Sequence, residues 1–142
     1  MLAKSTIAVI DDDQDLVSLF KEALEMSGYN VTAFIDPIKA FNHIKQKPKE
    51  YELVLSDYRM PSMNGLELCT NLIELNPELR VILMSSYIDF EFEIPNFICI
   101  NKPIHITWLL QIVKDSLTQK YNNIPKVKRK YDFIYNIKIP TV

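Results

Sequence analysis

The sequence predicts an α/β fold, a doubly wound parallel sheet of five strands with helices on both faces. Two observations predict it. Short β-type stretches, Ile7 to Ile10, Tyr29 to Phe34, Leu53 to Ser56, Val81 to Met84 and Phe97 to Ile100, recur through the chain, and apolar residues at helical spacing fill most of the intervals. The stretches are apolar runs rather than apolar/polar alternations, as expected of strands buried on both faces of a parallel sheet.

Each element carries its own signals. Ile7 to Ile10 ends in three aspartates. Leu16, Leu19, Phe20, Ala23 and Leu24 then mark a first helix, and Gly28 stands where its C-cap belongs. Asp36-Pro37 reads as N-cap and first-turn proline of a second helix reaching about Lys45. Asn64 with Glu67 resembles a capping box opening a third helix to about Leu75. After Lys102-Pro103, Ile106, Leu109, Leu110, Val113 and Leu117 share one face of a last helix.

Composition sets the class. With 48% hydrophobic and 24% charged residues, the 142-residue chain can build one ordinary core, with a short appendage rather than a second domain. A net charge of −2 gives no overall attraction to nucleic acid or anionic lipid. Cys69 and Cys99 lack metal or redox spacing and read as small apolar residues in a reducing compartment. No apolar run is long enough for a membrane span, and the start reaches three acids too soon for a secretory signal. A cytoplasmic domain is expected. Two glycines, Gly28 and Gly65, are too few for a glycine-rich phosphate loop.

The residues at the strand ends carry the chemistry. In an open parallel sheet, ligands bind outside the carboxyl ends of the strands. Found there are Asp11, Asp12 and Asp13, then Asp57, then Ser85, then Lys102. Crowded carboxylates disfavour one another's ionised form, a cost that a cation removes. All-oxygen ligands suit Mg²⁺. A lysine and a hydroxyl beside them are what a transferred phosphoryl group needs. Singly, an aspartate after a strand is more often a cap or turn residue, which is the role expected of Asp13.

Four separated motifs, Ile7 to Asp13 (IAVIDDD), Leu53 to Leu68 (LVLSDYRMPSMNGLEL), the VILMSSY stretch from Val81, and Lys102-Pro103, resemble in order the signature of CheY-like receiver domains of two-component response regulators. The resemblance spans about residues 4 to 120. It implies a flavodoxin-like sheet of order 2-1-3-4-5, with residues 1–121 as the receiver domain and 122–142 as a C-terminal tail. It implies that Asp57 is the nucleophile that becomes an aspartyl phosphate. Mg²⁺ would be held by Asp12, by Asp11 through water, by Asp57 and by the backbone carbonyl of Arg59. Ser85 would be the switch hydroxyl and Lys102 the partner of the phosphoryl group, followed by a typically cis peptide to Pro103. Pro61 and Gly65 would shape the loop and helix start after the nucleophile. The donor would be a histidine kinase or phosphotransfer protein, and the output a contact with a downstream protein, since no DNA-binding or enzymatic segment follows. The chain would catalyse only its own phosphorylation and dephosphorylation. His43 and His105 have no part in this chemistry; His43 is expected to be a surface or packing residue.

Two features depart from the family pattern. The position three residues before the lysine, usually Tyr or Phe, is Cys99, with Phe97 two residues earlier on the same side of the strand. Only ten residues, Tyr87 to Asn96, link the fourth and fifth strands, so the intervening helix is expected to be very short or missing. Signalling through that face would then be rerouted or lost while phosphoacceptor chemistry is kept. A pseudo-receiver acting as an interaction module is the alternative; it accounts for these departures but not for the intact Asp12, Asp57, Ser85 and Lys102. A dehalogenase-type phosphatase is excluded, because Arg59 occupies the place of its second aspartate. Bulky Arg59 and Tyr87 beside the path of an attacking water suggest slow self-hydrolysis.

The tail holds a small basic cluster, Lys126, Lys128, Arg129 and Lys130, then Tyr131, Phe133, Tyr135, Ile137 and Ile139 at strict period two. That alternation is a strand pattern. An ordered segment is expected, adding a strand to a sheet edge or covering the space a shortened fourth helix leaves, in its own chain or a partner's, and the fifth strand or the tail offers a surface for a homodimer. Nucleic-acid binding is not expected, since no recognition helix accompanies the cluster.

Overall fold

The apolar runs become the strands of one sheet. In the computed structural model, which describes residues 4–86, 97–118 and the backbone of 137–138, the strands are β1 (Thr6–Ile10), β2 (Asn30–Phe34), β3 (Leu53–Asp57), β4 (Arg80–Ser85), β5 (Phe97–Asn101) and β6 (Ile137–Lys138). The helices are α1 (Gln14–Met26), α2 (Pro37–Ile44), α3 (Gly65–Leu75) and α4 (Ile106–Leu117), with one 3-10 turn at Pro48–Glu50. The sheet order is β2-β1-β3-β4-β5-β6. The first five strands pair in parallel, in the order 2-1-3-4-5 expected from the resemblance, and β6 pairs antiparallel to β5. The link between β4 and β5, Tyr87 included, and the tail apart from β6 lie outside the described residues, so the expected short helix lies there too.

Alternation explains why the strands read as runs. Ile7, Val9, Leu55, Met84, Ile98 and Ile100 face one core with α1 and α4. Their neighbours Ala8, Ile10, Val54, Leu83, Phe97 and Cys99 face a second core with α2 and α3. Successive side chains point to opposite faces, so a strand covered on both faces must be apolar at every position. β2 differs, because Val31 to Phe34 are only half-buried at the sheet edge. On α1 the buried line is Val17, Phe20 and Leu24, while Leu19 is 49% exposed. The i, i+3, i+7 spacing turns Leu19 away from the sheet.

Local signals set the helix ends. The Asp13 carboxylate accepts from the backbone N–H groups of Asp15 and Leu16, Asp36 does so for Ile38 and Lys39, and Asn64 for Glu67. Each satisfies donors that the helix cannot. Gly28 leaves α1 at φ +98°, the left-handed conformation a helix C-cap favours in glycine. Chain order reverses around β1: β2 lies on one side of it and β3 on the other. The crevice of such a sheet opens at that reversal, beyond the ends of β1 and β3.

Candidate functional site

Strand ends bring the charged residues together. Asp11 follows β1 directly and is fully buried; its N–H donates to the Phe34 carbonyl at 3.1 Å and its Oδ1 accepts from the Asp13 N–H at 2.9 Å. Asp57 is the last residue of β3 and 8% exposed. Beyond it the chain is held to its neighbour by Tyr58 N–H to the Met84 carbonyl at 2.7 Å. Lys102 leaves β5 with its N–H donating to the Ser85 carbonyl at 2.8 Å, and the Lys102–Pro103 peptide is cis. One carboxylate oxygen from each of Asp11, Asp12 and Asp57 lies within 4.8 Å of the other two. The Lys102 Nζ reaches into this group, 2.9 Å from Asp11 Oδ2 and 3.1 Å from Asp57 Oδ1.

Packing fixes the backbone behind Asp57. A Cβ on Gly65 would overlap the Asp57 carbonyl oxygen, and the Gly65 N–H donates to the Tyr58 carbonyl at 2.7 Å. The Ser56 hydroxyl donates to that same Asp57 carbonyl at 2.9 Å. Glycine here lets α3 start against the end of β3.

The charges are unequally compensated. Burial, the first cause, and the negative charges of Asp11 and Asp12 push the Asp57 carboxyl above its ordinary range, although Lys102 opposes them. Burial disfavours the Lys102 ammonium, but its hydrogen bonds to Asp11 and Asp57 and their charges outweigh this and hold it above its usual value. Lys102 therefore stays protonated, and its ammonium pairs with two of the three carboxylates, those of Asp11 and Asp57. An all-oxygen cluster short of positive charge fits a hard divalent cation of the Mg²⁺ kind.

The remaining expected residues take varied places. Ser85 ends β4 and is 1% exposed, beside the strand position that pairs with Asp57. Arg59 lies in the exposed loop two residues past Asp57. Asp13 caps α1. His43 is exposed with its ring 5.4 Å from that of Phe34, and His105 is exposed at the N-cap of α4, 5.9 Å from Trp108. Cys99 is buried in the second core on the same face as Phe97. Sequence reasoning missed a cleft of about 480 Å³ beside Asp12, lined by Phe34, Asp36, Pro37, Lys39 and Ser62 among others. Its walls come from the end of β2, the start of α2 and the loops that follow β1 and β3, and the positive φ of Ser62 (75°) leaves no mark on periodicity.

The chain is similar to known proteins. The response regulator receiver domain family model matches residues 7–114. The DNA-binding transcriptional regulator NtrC of Proteus hauseri is 30% identical over 125 residues, 82% of this chain and 25% of that protein. The response regulator receiver protein CpdR of Brucella abortus is 32% identical over 81 residues, 57% of this chain and 66% of that protein. This chain spans between 19% and 66% of the length of three such curated relatives. Among solved structures, a CheY-like receiver domain protein from Methanospirillum hungatei superposes with a TM-score of 0.72 at 24% identity, covering 85% of this chain and 99% of that one. A two-component transcriptional regulator from Clostridium phytofermentans gives 0.71 at 25% identity, covering 84% and 97%. With a match over residues 7–114 that takes in the aspartate cluster, Asp57 and Lys102, the chain belongs to the response regulator receiver domain family.

Proposed function

We propose that this chain is a working phosphoacceptor, taking a phosphoryl group onto Asp57 from a phosphohistidine of a histidine kinase or phosphotransfer protein. The observation that carries the reading is the Lys102 ammonium joining Asp11 and Asp57 inside a group of three carboxylates. Asp11, Asp12, Asp57 and the Arg59 backbone carbonyl would hold Mg²⁺, Asp11 through water. The ion supplies positive charge that offsets the crowded carboxylates and the incoming phosphoryl oxygens.

An Asp57 carboxylate oxygen attacks phosphorus in line. The new O–P bond forms as the P–N bond to the donor imidazole breaks, and the electron pair leaves with that nitrogen. Lys102, already beside Asp57, keeps its charge and takes a phosphoryl oxygen in place of a carboxylate oxygen. The Ser85 hydroxyl hydrogen-bonds a second phosphoryl oxygen. Rate comes from positioning and charge, so no acid–base residue is required. The phosphorylated chain then acts by contact with a downstream protein in the cytoplasm. Among the described residues, no helix is long and apolar enough to cross a membrane.

Incubation with a phosphorylated histidine phosphotransfer protein tests this. Label should leave the donor and appear on this chain in the presence of Mg²⁺, and an Asp57→Asn chain should receive none. Label retained by the donor across a panel of such proteins would count against the reading.

A further inference from the structure

Beyond the phosphoacceptor site, the far edge of the sheet carries an unassigned surface. β5 opens with a four-residue apolar run, Phe97 to Ile100, with every side chain at most 1% exposed, so both of its faces are already packed. Its inner edge bonds β4. Its outer edge is a row of backbone donors and acceptors, and an apolar strand with such an edge open invites pairing with another chain. On that edge sits β6, antiparallel, with Cys99 opposite Lys138 and Ile100 opposite Ile137. The sequence around β6 has the character of a longer strand: apolar and aromatic residues at every second position from Tyr131 to Ile139, then Pro140, a residue confined to strand ends and edges.

We propose that the outer edge of β5 is a strand-accepting surface and that the C-terminal segment of the same chain is its resident occupant. The segment shields the apolar edge from other chains. It does so close to the chemistry, because β5 leads into Lys102 only two residues after Ile100. A foreign strand reaching this edge must displace it and would need the same alternation of apolar side chains.

Two measurements on the full chain test the proposal. In the first, Lys138→Cys is placed opposite the native Cys99 and exposed to a mild thiol oxidant such as diamide, which is reduced as the two thiols become a disulfide. Directly opposed residues of an antiparallel pair project to the same face at bridging distance. The expected product is a monomer, lighter by two hydrogens, whose digest joins Cys99 to the cysteine introduced at position 138. A Cys99 thiol that stays free, or a disulfide-linked dimer in its place, would overturn the assignment to the same chain. In the second, amide hydrogen exchange compares the native chain with Lys138→Pro, which removes the ladder donor opposite outward-facing Cys99. Outward-facing amides of residues 97–101 should exchange about tenfold faster or more, while those bonded to β4 keep their protection. Added peptide spanning residues 131–142 should restore the protection. Equal exchange in the two chains would refute the proposal.

Discussion

Asp57→Asn is expected to make the metal-free protein more stable, although it removes the residue on which function depends. At an effective dielectric of about 20, like charges no more than 4.8 Å apart repel by at least about 3.5 kcal/mol, and the Lys102–Asp57 pair at 3.1 Å attracts by about 5 kcal/mol. Repulsion from Asp11 and a screened contribution from exposed Asp12 roughly cancel that attraction, which leaves the burial cost of the carboxylate uncompensated. A net gain of about 1 kcal/mol on neutralisation follows, or about 3 °C in Tm for a domain of this size.

The sign fixes the pH window. Asp57 titrates above the ordinary carboxylate range, so its contribution to stability is fully present below that range and is lost as pH rises through the folded-state pKa. The advantage of Asp57→Asn should therefore be present at pH 7 and vanish in acid near pH 3.8. Mg²⁺ should reverse the order. An ion at about 100 times its dissociation constant stabilises the native chain by about 2.7 kcal/mol and does less for a chain lacking one ligand. Thermal melts in EDTA and in Mg²⁺, at neutral and acid pH, measure all of this. A lower Tm for Asp57→Asn in EDTA at pH 7 would refute the charge-crowding argument.

Other expectations follow from single contacts. Gly65→Ala forces a Cβ onto the Asp57 carbonyl and should cost about 3 kcal/mol in urea unfolding, the upper end for overpacking; an unchanged midpoint would show that α3 can shift freely. Asn76→Ala removes the buried amide that donates to the Pro48 and Tyr51 carbonyls at 3.1 and 3.2 Å, leaving both to find new donors, and should cost about 1–3 kcal/mol by the same assay. Lys102→Met leaves the buried Asp11 and Asp57 carboxylates without their cation; it should lower stability in EDTA by about 2–4 kcal/mol, and Mg²⁺ should recover most of the loss. Calorimetry showing no recovery would mean that no cation takes over that charge.

How much of this was legible in the sequence depends on range. Helix ends were readable because Asp13, Asp36, Asn64 and Gly28 act within three residues of themselves. The strands were readable as doubly buried because apolar runs leave no polar face, although the half-buried β2 shows that a β-rich stretch alone does not reveal an edge. Strand order came from family resemblance and not from periodicity, which carries nothing about which strands pair. The same holds at the site. The aspartates and Lys102 could be named from their positions after strands, yet the ion pair joining Asp11 to Lys102 spans 91 residues and exists only once β1, β3 and β5 are aligned. The cleft beside Asp12 and the Asn76 anchor are likewise made by segments distant in the chain meeting in space, where local patterns are silent.

The most direct test of the central claim is intact mass after incubation with acetyl phosphate, with Mg²⁺ or EDTA, for the native chain and Asp57→Asn. The account predicts a gain of one phosphoryl group in the native chain with Mg²⁺, and none in EDTA or in the variant. A gain that survives either EDTA or Asp57→Asn would contradict it, as would a native chain that stays unmodified with Mg²⁺ and also with phosphohistidine donors.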